Sequence, residues 1–344
     1  IADSILVDCG DTLQGSPLAD WVAFQRGLKP GDVHPAFAAM DLLDYDAGTL
    51  GNHEFDYGLD FLDICLAKAP FPLISTNLSR ADGSPYVPRS LILERRLGGT
   101  DGAAATPIRI GLLGFLPPQT LIWDKGYLEG RVTIDDIVAS AEEAVPALRA
   151  AGADIVVVLS HSGIVRDGDP LRTTENAALA LARVGGIDAI VSGHQHLVFP
   201  GSDFAGIPGV DTEAGTLLGV PAVMAGFWGS HLGIIDLTLH HDGAGWRVEG
   251  ARSEVRPIAQ RESDGVVGLV APVAAIDSVI EEAHQATRRY VAQPIGETTR
   301  RIASHWARLA DDAGVQLVNA AQADHARAFL VGTPDETLPL LSAS

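Results

Sequence analysis

Through the first 200 residues, short apolar runs of strand length alternate with stretches whose apolar positions recur at helical spacing. The runs "SILVD", "AGTL", "FPLIS", "IRIGLLGFL", "ADIVVVLSH" and "DAIVSGH" are rich in Ile, Val and Leu on both faces. Such runs predict strands buried in a sheet that is covered on both sides. Between them, "PLADWVAFQRG", "PAFAAMDLL", "GLDFLDICLAKA", "TIDDIVASAEEAVPALRAAG" and "TTENAALALARVG" predict helices, the fourth opening on Thr133 as N-cap and stopping at Gly152. This alternation specifies an α/β fold.

After residue 220 the pattern changes. "VPAVMAGFWGSHLGIIDLTLHHDGAGWRVEGARSEVRPI" predicts successive strands in an antiparallel meander, with a turn at Asp242-Gly243. The polar stretch "AQRESD" reads as a linker, and the long helical pattern that follows is started or kinked by Pro272. A last helix is expected through "VQLVNAAQADHARAFL", opening a second unit that does not complete a core of its own. The boundary is therefore drawn between residues 1–258 and 259–344. The chain opens almost inside a strand, with "IADSILVDCGD" in place of a basic, apolar, small-residue leader, and reads as a piece of a longer protein.

Composition narrows the partners. A net charge of −20 argues against a nucleic-acid polymer, whose phosphates are met by Lys and Arg. A small anionic substrate stays compatible with that charge where a bound cation reverses it locally. No apolar run reaches the roughly 18 residues of a membrane span, so no membrane partner is expected. Cys9 and Cys65 are too few for a disulfide framework, and Cys9 reads as a buried free thiol in a strand.

Four expected strand ends carry more chemistry than a turn needs: "VDCGD" with Asp8 and Asp11, "GNHEFD" with Asn52, His53 and Asp56, "LSHSG" with His161, and "VSGHQH" with His194 and His196. Ligands of open α/β sheets bind at the carboxyl ends of strands. Taken singly, Asp11 and Asn52 are ordinary turn residues and His161 an ordinary buried histidine. Their conjunction instead points to a metal site. Imidazole, carboxylate and amide without thiolate suit Zn, Mn or Fe, and Asp11 is the natural carboxylate to bridge two ions. Other motifs carry less. "HSG" lacks a nucleophile elbow, "LGGTDGAAAT" matches no phosphate-binding loop, His240 and His241 sit at an expected hairpin tip, and Trp228 and His231 are expected to pack.

"GDTLQGSP", "GNHEFDYG", "LSHSG" and "SGHQHLVFPG" resemble the calcineurin-like metallophosphoesterases, and within them the two-domain 5′-nucleotidase group. Further stretches, among them "GLKPGDVHPAF", "PPQTLIWDK" and "AGFWGSHLG", resemble the periplasmic branch that acts on 2′,3′-cyclic nucleotides and 3′-nucleotides. The resemblance implies a metallophosphatase β-sandwich flanked by helices over residues 1–258, and the start of an α/β nucleotide-binding domain in the rest. It makes Asp11 the bridging carboxylate, Asn52, His161 and His194 ligands of one ion, and His196 a ligand of the other. His53 becomes the catalytic histidine, held by Asp56, and Glu54 is left as structural. The family's Asp-x-His motif is expected upstream of this chain and its base-clamping aromatics beyond it. Two divalent ions are thus implied for the full-length protein and one for this chain. The implied reaction opens 2′,3′-cyclic nucleotides to 3′-nucleotides and then hydrolyses these. A 5′-nucleotidase or UDP-sugar hydrolase, or a disabled chain that only binds metal or nucleotide, are the alternatives.

Overall fold

The computed structural model describes residues 3–98, 105–166, 175–263 and 265–342. The chain divides into two compact units, Ile1–Val291 and Ala292–Ser344.

At the centre of the first unit lies Ile155–Ser160, six consecutive buried residues. It pairs in parallel with Thr106–Phe115 on one side and Ala189–Ser192 on the other, so neither edge nor face meets water. Beta-branched side chains suit such a position, because they pack on a pleat covered from both sides. Val220–Ala225 extends the sheet in parallel, while Ser90–Leu97 closes the far edge in antiparallel register. A second sheet of three parallel strands, Val7–Asp8, Ala47–Thr49 and Leu73–Ile74, is separate in its hydrogen bonding.

Alternation along the strands sorts the core into layers. Ile155, Val157 and Leu159 point toward Ala47 and Ile74 of the small sheet, whereas Val156 and Val158 point toward Ile137, Ala141 and Val145 of the helix Ile137–Ala150. The small sheet's other side is covered by Phe37 and Met40 of Pro35–Asp41 and by Leu59, Leu62 and Cys65 of Leu59–Leu66. The result is a two-sheet sandwich between helices, and all these parallel strands present their carboxyl ends to one rim.

Several local expectations are corrected. The helix expected from Thr133 is capped by Asp136, whose Oδ1 accepts from Ala139 N at 2.9 Å. Thr133 is drawn instead into a strand, Val132–Ile134, paired with Leu78–Arg80. Of the helix expected over "TTENAALALARVG", only Ala178–Leu181 is helical, and its first two residues lie outside the described ones. Val220–Ala225 joins the main sheet rather than a meander; the antiparallel pair is His231–His241 with Trp246–Pro257, turning at Asp242-Gly243 as expected. The stretch read as a linker is the first arm of a hairpin, Ala259–Glu262 with Gly265–Gly268. Pro272 precedes the helix Ala274–Val291, which packs against Pro17–Asp20 and Pro35–Asp41. Both cysteines are free; Cys9 lies just past its strand and is only half-buried.

The second unit contains one long helix, Ala313–Leu330, capped by Asp312, whose Oδ1 accepts from Gly314 N at 2.8 Å and Val315 N at 3.3 Å.

Candidate metal centre

The four polar clusters follow four neighbouring strands out of the sandwich: Val7–Asp8, Ala47–Thr49, Ile155–Ser160 and Ala189–Ser192. Donor atoms of Asp11, His161 and His194 lie within 4.8 Å of one another. Asn52 joins them, its Oδ1 3.0 Å from His194 Nδ1. The rings of His161 and His194 meet edge to face at 5.3 Å.

Each donor is held from behind. His161, 2% exposed, directs Nδ1 to the Cys9 carbonyl at 2.7 Å, which assigns the proton to Nδ1 and leaves the Nε2 lone pair forward. That Nε2 is buried 2.8 Å from Asp11 Oδ2, an ion-pair contact without a well-formed hydrogen bond. His194 meets an acceptor at each nitrogen: Asn52 Oδ1 at Nδ1 and Glu175 Oε1 at Nε2, 3.1 Å away. A neutral imidazole can donate to only one of them. A buried imidazole nitrogen facing a carboxylate, with further oxygen lone pairs converging on it, is the surroundings a divalent cation relieves, so these residues fit such an ion.

With no cation between them, Asp11 draws a proton onto His161 Nε2; a bound cation would take that proton's place and leave Nε2 free as a ligand. Burial opposes charge on both Asp11 and His161, but their mutual attraction prevails: the Asp11 carboxyl sits below its ordinary value and the His161 imidazole above. Burial, reinforced by His161, depresses His194 and keeps its ring neutral.

Beside this cluster, His53 and Asp56 bracket one short turn. His53 Nδ1 is 2.8 Å from Asp56 Oδ2, and the His53 backbone N–H donates to Asp11 Oδ1 at 2.8 Å. The hydrogen bond to Asp56 outweighs burial and holds the His53 imidazole up to about 9. His196 stands apart from the clustered donors, its ring 5.3 Å from that of Phe227. Trp228, expected to pack, is 82% exposed beside Phe227.

Residues not singled out in the sequence also reach the site. Trp123 lies nearly parallel to His194 at 5.5 Å, and Glu175 contacts the same ring. Asp124, 9% exposed, faces Asp56; burial first, then the Asp56 charge, push its carboxyl up to about 7. A carboxyl so placed carries the proton that lets two acids share a site. Trp123 and Asp124 follow Thr106–Phe115, a strand with the same carboxyl rim. The signal was diluted because "LPPQTLI" separates them from the strand end.

A profile of the calcineurin-like phosphoesterase family matches residues 2–198, the span that contains every one of these donors. The chain belongs to that family. It is similar over all of its length, at 46% identity, to a "2′,3′-cyclic-nucleotide 2′-phosphodiesterase/3′-nucleotidase" of Salmonella typhimurium, of which it covers 53%. A protein of the same name from Yersinia enterocolitica is 45% identical over 99% of the chain, which covers 52% of it. The chain thus spans about half the length of these curated relatives. Among solved structures, the calcineurin-like phosphoesterase YfkN from Bacillus subtilis superposes with a TM-score of 0.76 at 38% identity, over 84% of this chain and 85% of that one. The calcineurin-like fold accounts for the two-sheet sandwich and for the rim on which the donors lie.

Proposed function

We propose that the protein hydrolyses 2′,3′-cyclic nucleotides to 3′-nucleotides, and 3′-nucleotides to nucleoside and phosphate, at a centre of two divalent ions. The observation that carries this reading is the convergence of Asp11, Asn52, His161 and His194 beside the His53–Asp56 pair. The names of the relatives support the substrate class. Asp11, Asn52, His161 and His194 hold one ion, and Asp11 with His196 contributes to the other; the donor types suit Zn, Mn or Fe. Residues 1–258 form the catalytic domain and 259–344 the linker helix and the beginning of a nucleotide-binding domain. The family resemblance supports a periplasmic setting, and among the described residues no helix is long and apolar enough to cross a membrane.

When bound, such ions neutralise phosphate charge and raise the acidity of water. The side chains do the rest. Water attacks phosphorus opposite the 2′-oxygen and releases one proton to solvent, and the bond from phosphorus to that oxygen breaks. His53, an imidazolium at neutral pH, gives its proton to the departing oxygen. Asp56 keeps the proton on Nδ1 and so aims the other ring nitrogen at the substrate. In the second reaction the 3′-oxygen leaves and takes the proton from the same group.

The test is turnover of 2′,3′-cyclic AMP, 3′-AMP and 5′-AMP by the Mn(II)-loaded protein. The first two should be consumed and the third spared. Preference for 5′-AMP would make the protein a 5′-nucleotidase, and metal uptake without turnover would leave it a binding protein.

A further inference from the structure

Glu54 is the one acid of "GNHEFD" for which the reaction has no use. It is 3% exposed, and its carboxylate is surrounded by backbone. Oε1 accepts from the N–H groups of Thr12 at 2.6 Å and Leu13 at 3.1 Å. Oε2 accepts from Asp11 N at 2.8 Å and Gly51 N at 2.6 Å. Three successive amides, residues 11 to 13, converge on one anion, which is the geometry of a backbone nest. Here the anion comes from the chain itself.

The two loops joined in this way carry Asp11 and Asn52. They touch at backbone level: a Cβ on Gly10 would lie 2.4 Å from Gly51 N, and one on Gly51 would lie 2.2 Å from Asp11 Oδ1. Asp11 itself has φ 63, a left-handed conformation that a non-glycine residue keeps only when its surroundings impose it. Two of the four amides held by Glu54, those of Asp11 and Thr12, flank that residue's α-carbon and fix its backbone.

We infer that Glu54 is a positioning residue of the metal centre, an internal anion that locks the Asp11 loop to the Asn52 loop and so fixes the spacing of their donor groups. The inference rests on the reading of Asp11 and Asn52 as metal ligands. It requires a carboxylate. With two donors on each oxygen, an amide of the same shape satisfies one pair and turns its own N–H groups on the other.

The experiment measures Mn(II) binding to the full chain, with Mn(II) alone as probe, for wild type, Asp11→Asn and Glu54→Gln at 25 °C. Wild type should bind and Asp11→Asn should not. Glu54→Gln should bind about 10- to 100-fold more weakly, the usual effect of losing a partner that orients a ligand. Its rise in Tm on adding Mn(II) should shrink accordingly. Loss of fold stability alone would lower Tm with and without metal equally and leave the affinity ratio near one. A dissociation constant for Glu54→Gln within about threefold of wild type would overturn the inference while leaving the metal site intact. Failure of wild type to bind, or full binding by Asp11→Asn, would overturn the metal reading and the inference with it. Should Glu54→Gln not fold, the same ratio is read on Glu54→Asp, whose shorter arm reaches one pair of amides; unchanged affinity there overturns the inference equally.

Discussion

His53 Nδ1 lies 2.8 Å from Asp56 Oδ2 across one tight turn, and Asn52, immediately before it, points the other way, toward His194. Adjacent residues thus serve different partners. His53→Ala should lower turnover about 10²- to 10⁴-fold, the range for a positioned proton donor, with metal content unchanged. Asn52→Ala should lower metal content. Metal analysis beside initial rates on 2′,3′-cyclic AMP checks both, and equal metal loss in the two variants contradicts the division.

On the proposed reading Asp56 acts through the imidazole, so its loss should be the milder one. Asp56→Asn still accepts from Nδ1 but no longer offers a charge. Its turnover should fall between wild type and His53→Ala, with the fold intact by circular dichroism. An unfolded Asp56→Asn would assign the residue to structure and remove it from the dyad.

His34 predicts a pH effect on stability away from the chemistry. It caps Pro35–Asp41 by accepting from Ala36 N at 3.2 Å, is 1% exposed, and leaves Nε2 without a partner. Burial, aided by Arg26, lowers its imidazole from 6.5 to about 4. The unfolded chain therefore takes the proton first, and stability falls as pH drops from 6.5 to about 4. The loss is about 3 kcal/mol. Asp124, with its carboxyl at about 7, works in the opposite direction because the native state binds its proton first. The observable is therefore the difference between wild type and His34→Asn, which keeps a cap and removes the titration. Denaturant unfolding should show His34→Asn gaining on wild type as pH falls from 6.5. Parallel curves would contradict the assignment.

Trp123 is 47% exposed, so its removal should lower Tm by only a few degrees. Its ring covers His194, and such a pair contributes about 0.5–1.5 kcal/mol. Trp123→Ala should weaken Mn(II) binding about 2- to 10-fold on that basis. An unchanged affinity would reduce the stack to a surface contact.

The sandwich was legible because its strands are apolar on both faces, and the four strand-end clusters because each directly follows such a run. What failed did so for local reasons. Thr133 lost the cap to Asp136 because pairing with Leu78–Arg80 extends the strand past it. "AQRESD" is polar because its hairpin lies at the surface, so composition resembled a linker. Asp124 and Trp123 reach the site from well beyond their strand, a distance that spacing in the chain does not reveal. Glu54 was visible but silent: its partners are backbone amides, which leave no trace in the residue types around it.

Asp11, His194 and His196 all hold left-handed backbone, with φ of 63, 72 and 59. Each carries about 1 kcal/mol or more of strain that glycine would not. A mutation to glycine at these positions therefore deletes a donor and relaxes the resting fold in the same step. In the metal-free protein, His194→Gly should be more stable than His194→Ala by about 1 kcal/mol, the reverse of their usual order. Thermal unfolding of the two variants measures it. On the proposed reading, the demands of metal binding and of resting stability pull in opposite directions at these three positions.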